Sequence, residues 1–91
     1  MISYGKQSIN QDDIDAVIEV LKSDFLTQGP KVVEFEAKLA KYCKSKYVKV
    51  VSNATSALHL AYVAVGLKKN DIMWTSPNTF IATANAALYC G

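Results

Sequence analysis

Arginine is absent from this chain: all ten of its basic residues are lysines, against eight acidic ones. That removes the planar fork that usually clamps carboxylate or phosphate through two parallel hydrogen bonds. An anion held by these residues is left with backbone amides, hydroxyls and lysine. The net charge of +2 is too weak to imply nucleic acid or an anionic membrane as a partner. Cysteine is scarce too. Cys43 and Cys90 lie far apart with no CxxC spacing, the pattern of reduced structural thiols in a cytoplasmic protein rather than of a disulfide. No grouping of metal ligands stands out, and no metal is expected. Apolar runs are short, none approaching the ~20 residues that cross a bilayer. Met1-Ile2-Ser3-Tyr4-Gly5 lacks the basic start and apolar core of a secretory signal. Neither GxGxxG nor GxxxxGK[ST] occurs, so the dinucleotide and P-loop readings lack their fingerprints.

What is present reads as globular: 51% of the residues are apolar and 20% charged, enough for a core but too few residues to bury a large one. The stretch NQDDIDAVIEVLKSD begins with Asn10 as an N-cap and has acidic residues in its first turn. Ile14, Val17, Ile18 and Leu21 follow at helical spacing. FLTQGP breaks that helix, and Pro30 suits the first position of a second. Phe35, Leu39, Tyr42 and Cys43 form the second helix's apolar stripe. Tyr47 to Val51 is β-branched and short, and is expected to be a strand. A third helix, apolar around most of its circumference, runs from about Ala57 to Val65 and stops at Gly66. NDIMWTSP predicts a second strand, and NTFIATANAALYCG a fourth helix with Asn78 as its N-cap. The order helix, helix, strand, helix, strand, helix predicts α/β architecture, with βα units on a mainly parallel sheet flanked by helices. Residues 1–45 supply two helices and residues 46–91 the β-α-β-α region. Two strands cannot cover such helices, and a third is due where the chain stops at Gly91. The chain is therefore expected to be the opening portion of a larger domain.

The chemistry concentrates in two bare corners. Ser52-Asn53-Ala54-Thr55-Ser56 holds no metal ligand, no nucleophile–base pair and no lysine. Placed after a strand and at the first turn of a helix, it offers free amides and the positive end of a helix dipole, a cradle for phosphate. The same residues also suit an ordinary N-cap. Ser76-Pro77-Asn78-Thr79-Phe80 follows the second expected strand, and in a parallel sheet both corners fall at the ligand-binding edge. Phe80 there can lie flat against a planar ligand, although most such aromatics are core residues. A phosphorylated, planar cofactor fits the pair.

LTQGPKVVEFEAKLAKY, VSNATSALHLA and SPNTFIATANAALYCG resemble, in order and spacing, the opening third of the DegT/DnrJ/EryC1/StrS family of sugar aminotransferases. The first thirty residues are most similar to the branch that works in pseudaminic acid synthesis. The resemblance implies the N-terminal part of an aspartate aminotransferase-like large domain that binds pyridoxal 5'-phosphate. It implies that Thr55 and Ser56 hold the cofactor phosphate and that Phe80 stacks on its ring. Tyr4, Thr27, Gln28 and Gly29 fall where family members bring residues toward a nucleotide sugar. It further implies a homodimer, a nucleotide-linked keto sugar and an amino-acid donor such as glutamate, and no nucleic acid or membrane partner.

The family's Schiff-base lysine has no counterpart among these residues, and the resemblance places it beyond Gly91. Lys38, Lys41, Lys44, Lys46 and Lys49 form a polar stretch expected to be solvated, and Lys68 and Lys69 sit in a turn; none suits the dry pocket that lowers a lysine pKa. His59 is expected to pack on its helix rather than bind ligand, and Trp74 to be core. With no catalytic residue before Gly91, the chain by itself is expected to be inactive. Two other functions share its features: a dehydratase on the same scaffold with histidine in place of the lysine, and a non-catalytic module for a phosphorylated small molecule.

Overall fold

The computed structural model describes residues 5–91, so the candidate substrate residue Tyr4 lies outside the described residues. Four helices follow in order: α1 (Gln11–Leu21), α2 (Pro30–Cys43), α3 (Ala54–Ala64) and α4 (Ala82–Leu88). They belong to two compact units that divide between Val48 and Lys49.

In the first unit, local sequence signals account for nearly every helix boundary. Asn10 caps α1 through a capping box: its Oδ1 accepts from the Asp13 amide at 3.0 Å, and the Asp13 carboxylate accepts from the Asn10 amide at 3.0 Å. Asp12 and Asp13 add negative charge beside the positive helix end. Beyond the last turn the Ser23 hydroxyl donates to the Val20 carbonyl at 2.7 Å, which helps turn the chain away. α2 opens with Pro30 at its first position, where the missing N–H has no acceptor to lose. It closes with Lys44 in the left-handed region at φ 53° and the Ser45 amide donating back to the Ala40 carbonyl at 2.9 Å.

Gly29 is required by packing. A Cβ there would sit 2.9 Å from the Phe25 Cβ and 3.1 Å from the Phe25 carbonyl oxygen. Neither atom is the loose end of a side chain, so Gly29→Ala must shift the backbone between α1 and α2. The expected loss is about 1–3 kcal/mol, read as a lower denaturation midpoint of the intact protein; an unchanged midpoint would show that the bend yields freely.

Across that bend, Ala16, Val17, Val20 and Leu21 of α1, with Leu26, and Phe35 of α2 line an apolar cleft of about 600 Å³. Its rim carries an ion-pair chain: Lys31 lies 3.6 Å from Glu19 and 3.5 Å from Glu34, and Lys38 lies 2.6 Å from Glu34. The hydrogen bond from Lys38, and next the charge of Lys31, hold the Glu34 carboxyl below its ordinary range. Being exposed to solvent, the chain of charges adds little to stability.

In the second unit α3 and α4 pack together. Ala86 is fully buried and Ala82 nearly so. Tyr62 of α3 donates its hydroxyl to the Thr83 carbonyl of α4 at 3.2 Å. The His59 and Tyr89 rings meet edge to face at 5.6 Å, the packed role expected of that histidine. Small alanines let the backbones approach, and these aromatic contacts flank them. After α4 the Gly91 amide donates to the Leu88 carbonyl at 3.0 Å, with Gly91 at φ 92°. Gly91 thus closes a turn.

Four expectations meet a different structure. No strand forms among the described residues: 47–51 and 71–76 carry no ladder, although both segments have strand composition. A strand is defined by its pairing with a neighbour and not by its composition. α3, expected to be covered on most sides, has no buried residue, and Trp74, expected in a core, is 93% exposed. Asn78 does not cap α4, which starts at Ala82 without any side-chain cap. Residues 77–79 bend first, and the opening turn is instead tied by the Thr79–Thr83 hydroxyl pair at 3.0 Å. Large apolar side chains on the described helices stay exposed, among them Val17, Leu21, Phe35 and Leu60.

Candidate functional site

The first turn of α3 is the better-formed of the two corners. Asn53, extended at φ −162° and ψ 166°, accepts from the Ser56 amide through its side chain at 2.8 Å. Its own amide group donates to the Ser52 hydroxyl at 3.3 Å, which fixes the orientation of the cap. The Asn53 carbonyl takes the Ala57 amide at 3.1 Å. The amides of Ala54 and Thr55, at the first two helical positions, then have no acceptor within the helix. The hydroxyls of Thr55 and Ser56, both half-buried, make no hydrogen bond among the described residues.

Two outward amides, two hydroxyls and the positive end of an eleven-residue helix form a donor set without a carboxylate in it. Such a set suits a phosphate dianion. The sequence reading places Thr55 and Ser56 at phosphate-binding positions without separating their amides. The structure does: Asn53 holds the Ser56 amide, and the Thr55 amide remains. Asn53 therefore shapes the turn, and the N-cap signature is the feature that points to it. Asn53→Ala is expected to destabilise α3 by about 1 kcal/mol, seen as faster hydrogen exchange at Ala54 to Ala57; unchanged exchange would rule out the cap as the support.

The second corner is different in kind. Phe80 precedes α4 on the bent connection, is 75% exposed, and makes no ring contact among the described residues. Among those residues no hydrogen bond or ring contact links it to the α3 turn. Because α4 is short and uncapped, this corner presents an aromatic face rather than a second helix-end cradle.

Of the other sequence candidates, Thr27, Gln28 and Gly29 lie together in the bend between α1 and α2. Gln28 adopts the left-handed conformation at φ 50°, and Gly29 has the packing role already described. All ten lysines are exposed. Among the described residues no group of His, Cys, Asp and Glu is placed to hold a metal ion. Cys43 and Cys90 are both free thiols. No helix among the described residues is long and apolar enough to cross a membrane.

Comparison with known proteins gives these positions a context. The chain is 54% identical over 91 residues to the UDP-4-amino-4,6-dideoxy-N-acetyl-beta-L-altrosamine transaminase of Campylobacter jejuni serotype O:23/36, covering all of this chain and 24% of that protein. It is 50% identical to the transaminase of the same name from serotype O:2, with the same coverage. The GDP-perosamine synthase of Caulobacter vibrioides is 36% identical over 91 residues, covering 99% of this chain and 24% of that protein. The chain thus spans about a quarter of the length of the curated relatives it matches. No solved structure matches it. The sequence profile of one family matches residues 7–91, both corners included, and the chain belongs to that family, the DegT/DnrJ/EryC1/StrS aminotransferases.

Proposed function

We propose that the intact protein transfers an amino group from an amino-acid donor, glutamate, to the keto carbon of a nucleotide-linked sugar. The narrower reading is the formation of UDP-4-amino-4,6-dideoxy-N-acetyl-β-L-altrosamine for pseudaminic acid synthesis. The observation that carries it is identity of 54% and 50% along the whole chain to two transaminases of that name. The open donor set at the start of α3 agrees with it.

In this reading Thr55 and Ser56 hold the phosphate of pyridoxal 5'-phosphate, with the Ala54 and Thr55 amides donating. Phe80 lies on the ring. When bound, the cofactor supplies an electron sink and carries the amino group between the two substrates. This chain's residues anchor and orient: the phosphate grip fixes one end of the cofactor, and the aromatic face limits its tilt. Thr27, Gln28 and Gly29 face the sugar nucleotide. The segments 47–51 and 71–76 become parallel strands once they are paired, which brings both corners to one sheet edge. The remaining parts of the reading are a homodimer with shared active sites and a cytoplasmic location, with which two free thiols agree. The Schiff-base lysine is supplied from beyond Gly91, and this chain alone is inactive.

The test uses the intact protein with the corresponding UDP-linked 4-keto sugar and glutamate. Mass spectrometry should find the amino sugar nucleotide and 2-oxoglutarate in equal amounts. Loss of a sugar hydroxyl without amine transfer would replace this reading by the dehydratase. Cofactor binding without turnover of any keto sugar would replace it by the non-catalytic module.

A further inference from the structure

Thr83, the second residue of α4, puts its polar groups to three uses. Its amide donates to the Phe80 carbonyl at 3.0 Å. Its hydroxyl shares a 3.0 Å hydrogen bond with the Thr79 hydroxyl. Its carbonyl accepts from the Tyr62 hydroxyl of α3 at 3.2 Å, a bond between residues 21 positions apart. The first two bonds tie down Phe80 and the residue before it, and the third ties Thr83 itself to α3. All of these residues belong to one compact unit, 49–91, so the arrangement does not rest on the exposure of any outer surface.

A half-buried tyrosine commonly finds a partner for its hydroxyl, and helix packing by itself asks only for the ring. What sets Tyr62 apart is where its hydroxyl lands. α4 is short and starts without a side-chain cap, and residues 77–79 bend before it. Such a turn is held by few bonds of its own. The Tyr62 bond refers it to α3, the helix whose first turn carries Thr55 and Ser56 about two turns away.

We infer that Tyr62 is a positioning residue for the cofactor ring: through Thr83 it holds the turn that presents Phe80. The inference rests on the reading in which Phe80 lies on that ring and Thr55 holds the phosphate. One helix then serves both ends of the ligand, gripping the phosphate at its start and fixing the stacking residue through Tyr62. An aromatic held in place before binding costs less to order when the ligand arrives. Removing one such hydrogen bond corresponds to about a two- to ten-fold loss of affinity.

The test uses the intact protein freed of cofactor, titrated by calorimetry with pyridoxal 5'-phosphate and separately with inorganic phosphate. Tyr62→Phe keeps the ring and removes only the hydroxyl. The expected result is a loss of about two- to ten-fold for the cofactor and none for phosphate. Adding Tyr62→Phe to Phe80→Ala should then cause no further loss, since the two act through one contact. Thermal melting of each variant checks the fold. A merely structural hydroxyl would lower the melting midpoint with cofactor affinity unchanged, or weaken phosphate and cofactor alike. Either outcome, or additive losses in the double variant, overturns the inference while Phe80→Ala alone still weakens cofactor binding. A Phe80→Ala variant that binds the cofactor as tightly as the parent overturns the underlying reading of Phe80, and the inference falls with it.

Discussion

Replacing Thr55 by Asp in the intact protein is expected to weaken pyridoxal 5'-phosphate binding by about a hundred-fold or more, while leaving α3 as stable as before. The two effects separate because the helix and the ligand ask opposite things of one position. At the start of a helix a carboxylate is favourable, since it faces the unbonded amides and the positive dipole end. A phosphate placed on the same amides meets that carboxylate as a like charge. On the proposed reading the substitution also removes a hydroxyl donor to a charged acceptor, worth about 1.5–3 kcal/mol, or roughly ten- to hundred-fold. Thr55→Val removes the hydroxyl without adding charge and should show only this smaller loss. Fluorescence titration of the cofactor, paired with thermal melting, measures both quantities. Unchanged affinity in Thr55→Asp would place the phosphate elsewhere and remove the basis of the functional reading.

The largest stability effect is expected at Ala86. Among the described residues it is the one with no exposed surface, in the contact between α3 and α4. Ala86→Asp puts a carboxylate into that contact, where it loses hydration and gains no cation. Losses of several kcal/mol follow from burying an unpaired charge, unless the helices part to let water in. Either response breaks the α3–α4 pair, so a markedly lower unfolding midpoint and loss of protection at the Tyr62 and Thr83 amides are expected together. Ala86→Gly, which keeps the space open and lowers helix propensity, should remove only about 1 kcal/mol. If both variants melt alike, the contact is looser than its burial indicates.

The same two places show where sequence reading succeeds. α1 and α2 are legible almost to the residue, because their ends are decided by neighbours in the chain: Asn10 with Asp13, and Pro30 at the first turn. Gly66 at φ 82° ends the third helix region as expected. The cap at Asn53 is legible for the same reason, as one of three residues suited to it. α4 is harder. Asn78 has the right side chain for a cap, but residues 77–79 bend and the Thr79–Thr83 hydroxyl pair ties a later start. A cap signature states what a residue can do, and competing turns decide whether it does.

The ligand site divides along similar lines. Residue types at Ser52 to Ser56 suit a phosphate, and the family resemblance implies the cofactor. Neither distinguishes the Ser56 amide, held by Asn53, from the Thr55 amide beside it. Lys38, Lys41, Lys44, Lys46 and Lys49 read as one solvated stretch, whereas the structure sets Lys38 apart by its ion pair with Glu34. Net charge sums over positions and so loses the arrangement.

By itself the sequence determined the family, the helical segments and the chemical character of the α3 turn, because each is written in residues a few positions apart. Tertiary structure alone decided that Ala86 is buried and that Gly29 must lack a side chain. Helix hydrogen bonds close within four residues, so their signals are local. Burial and strand pairing depend on surfaces brought together from distant parts of a chain, and no short window of sequence contains both sides of such a contact.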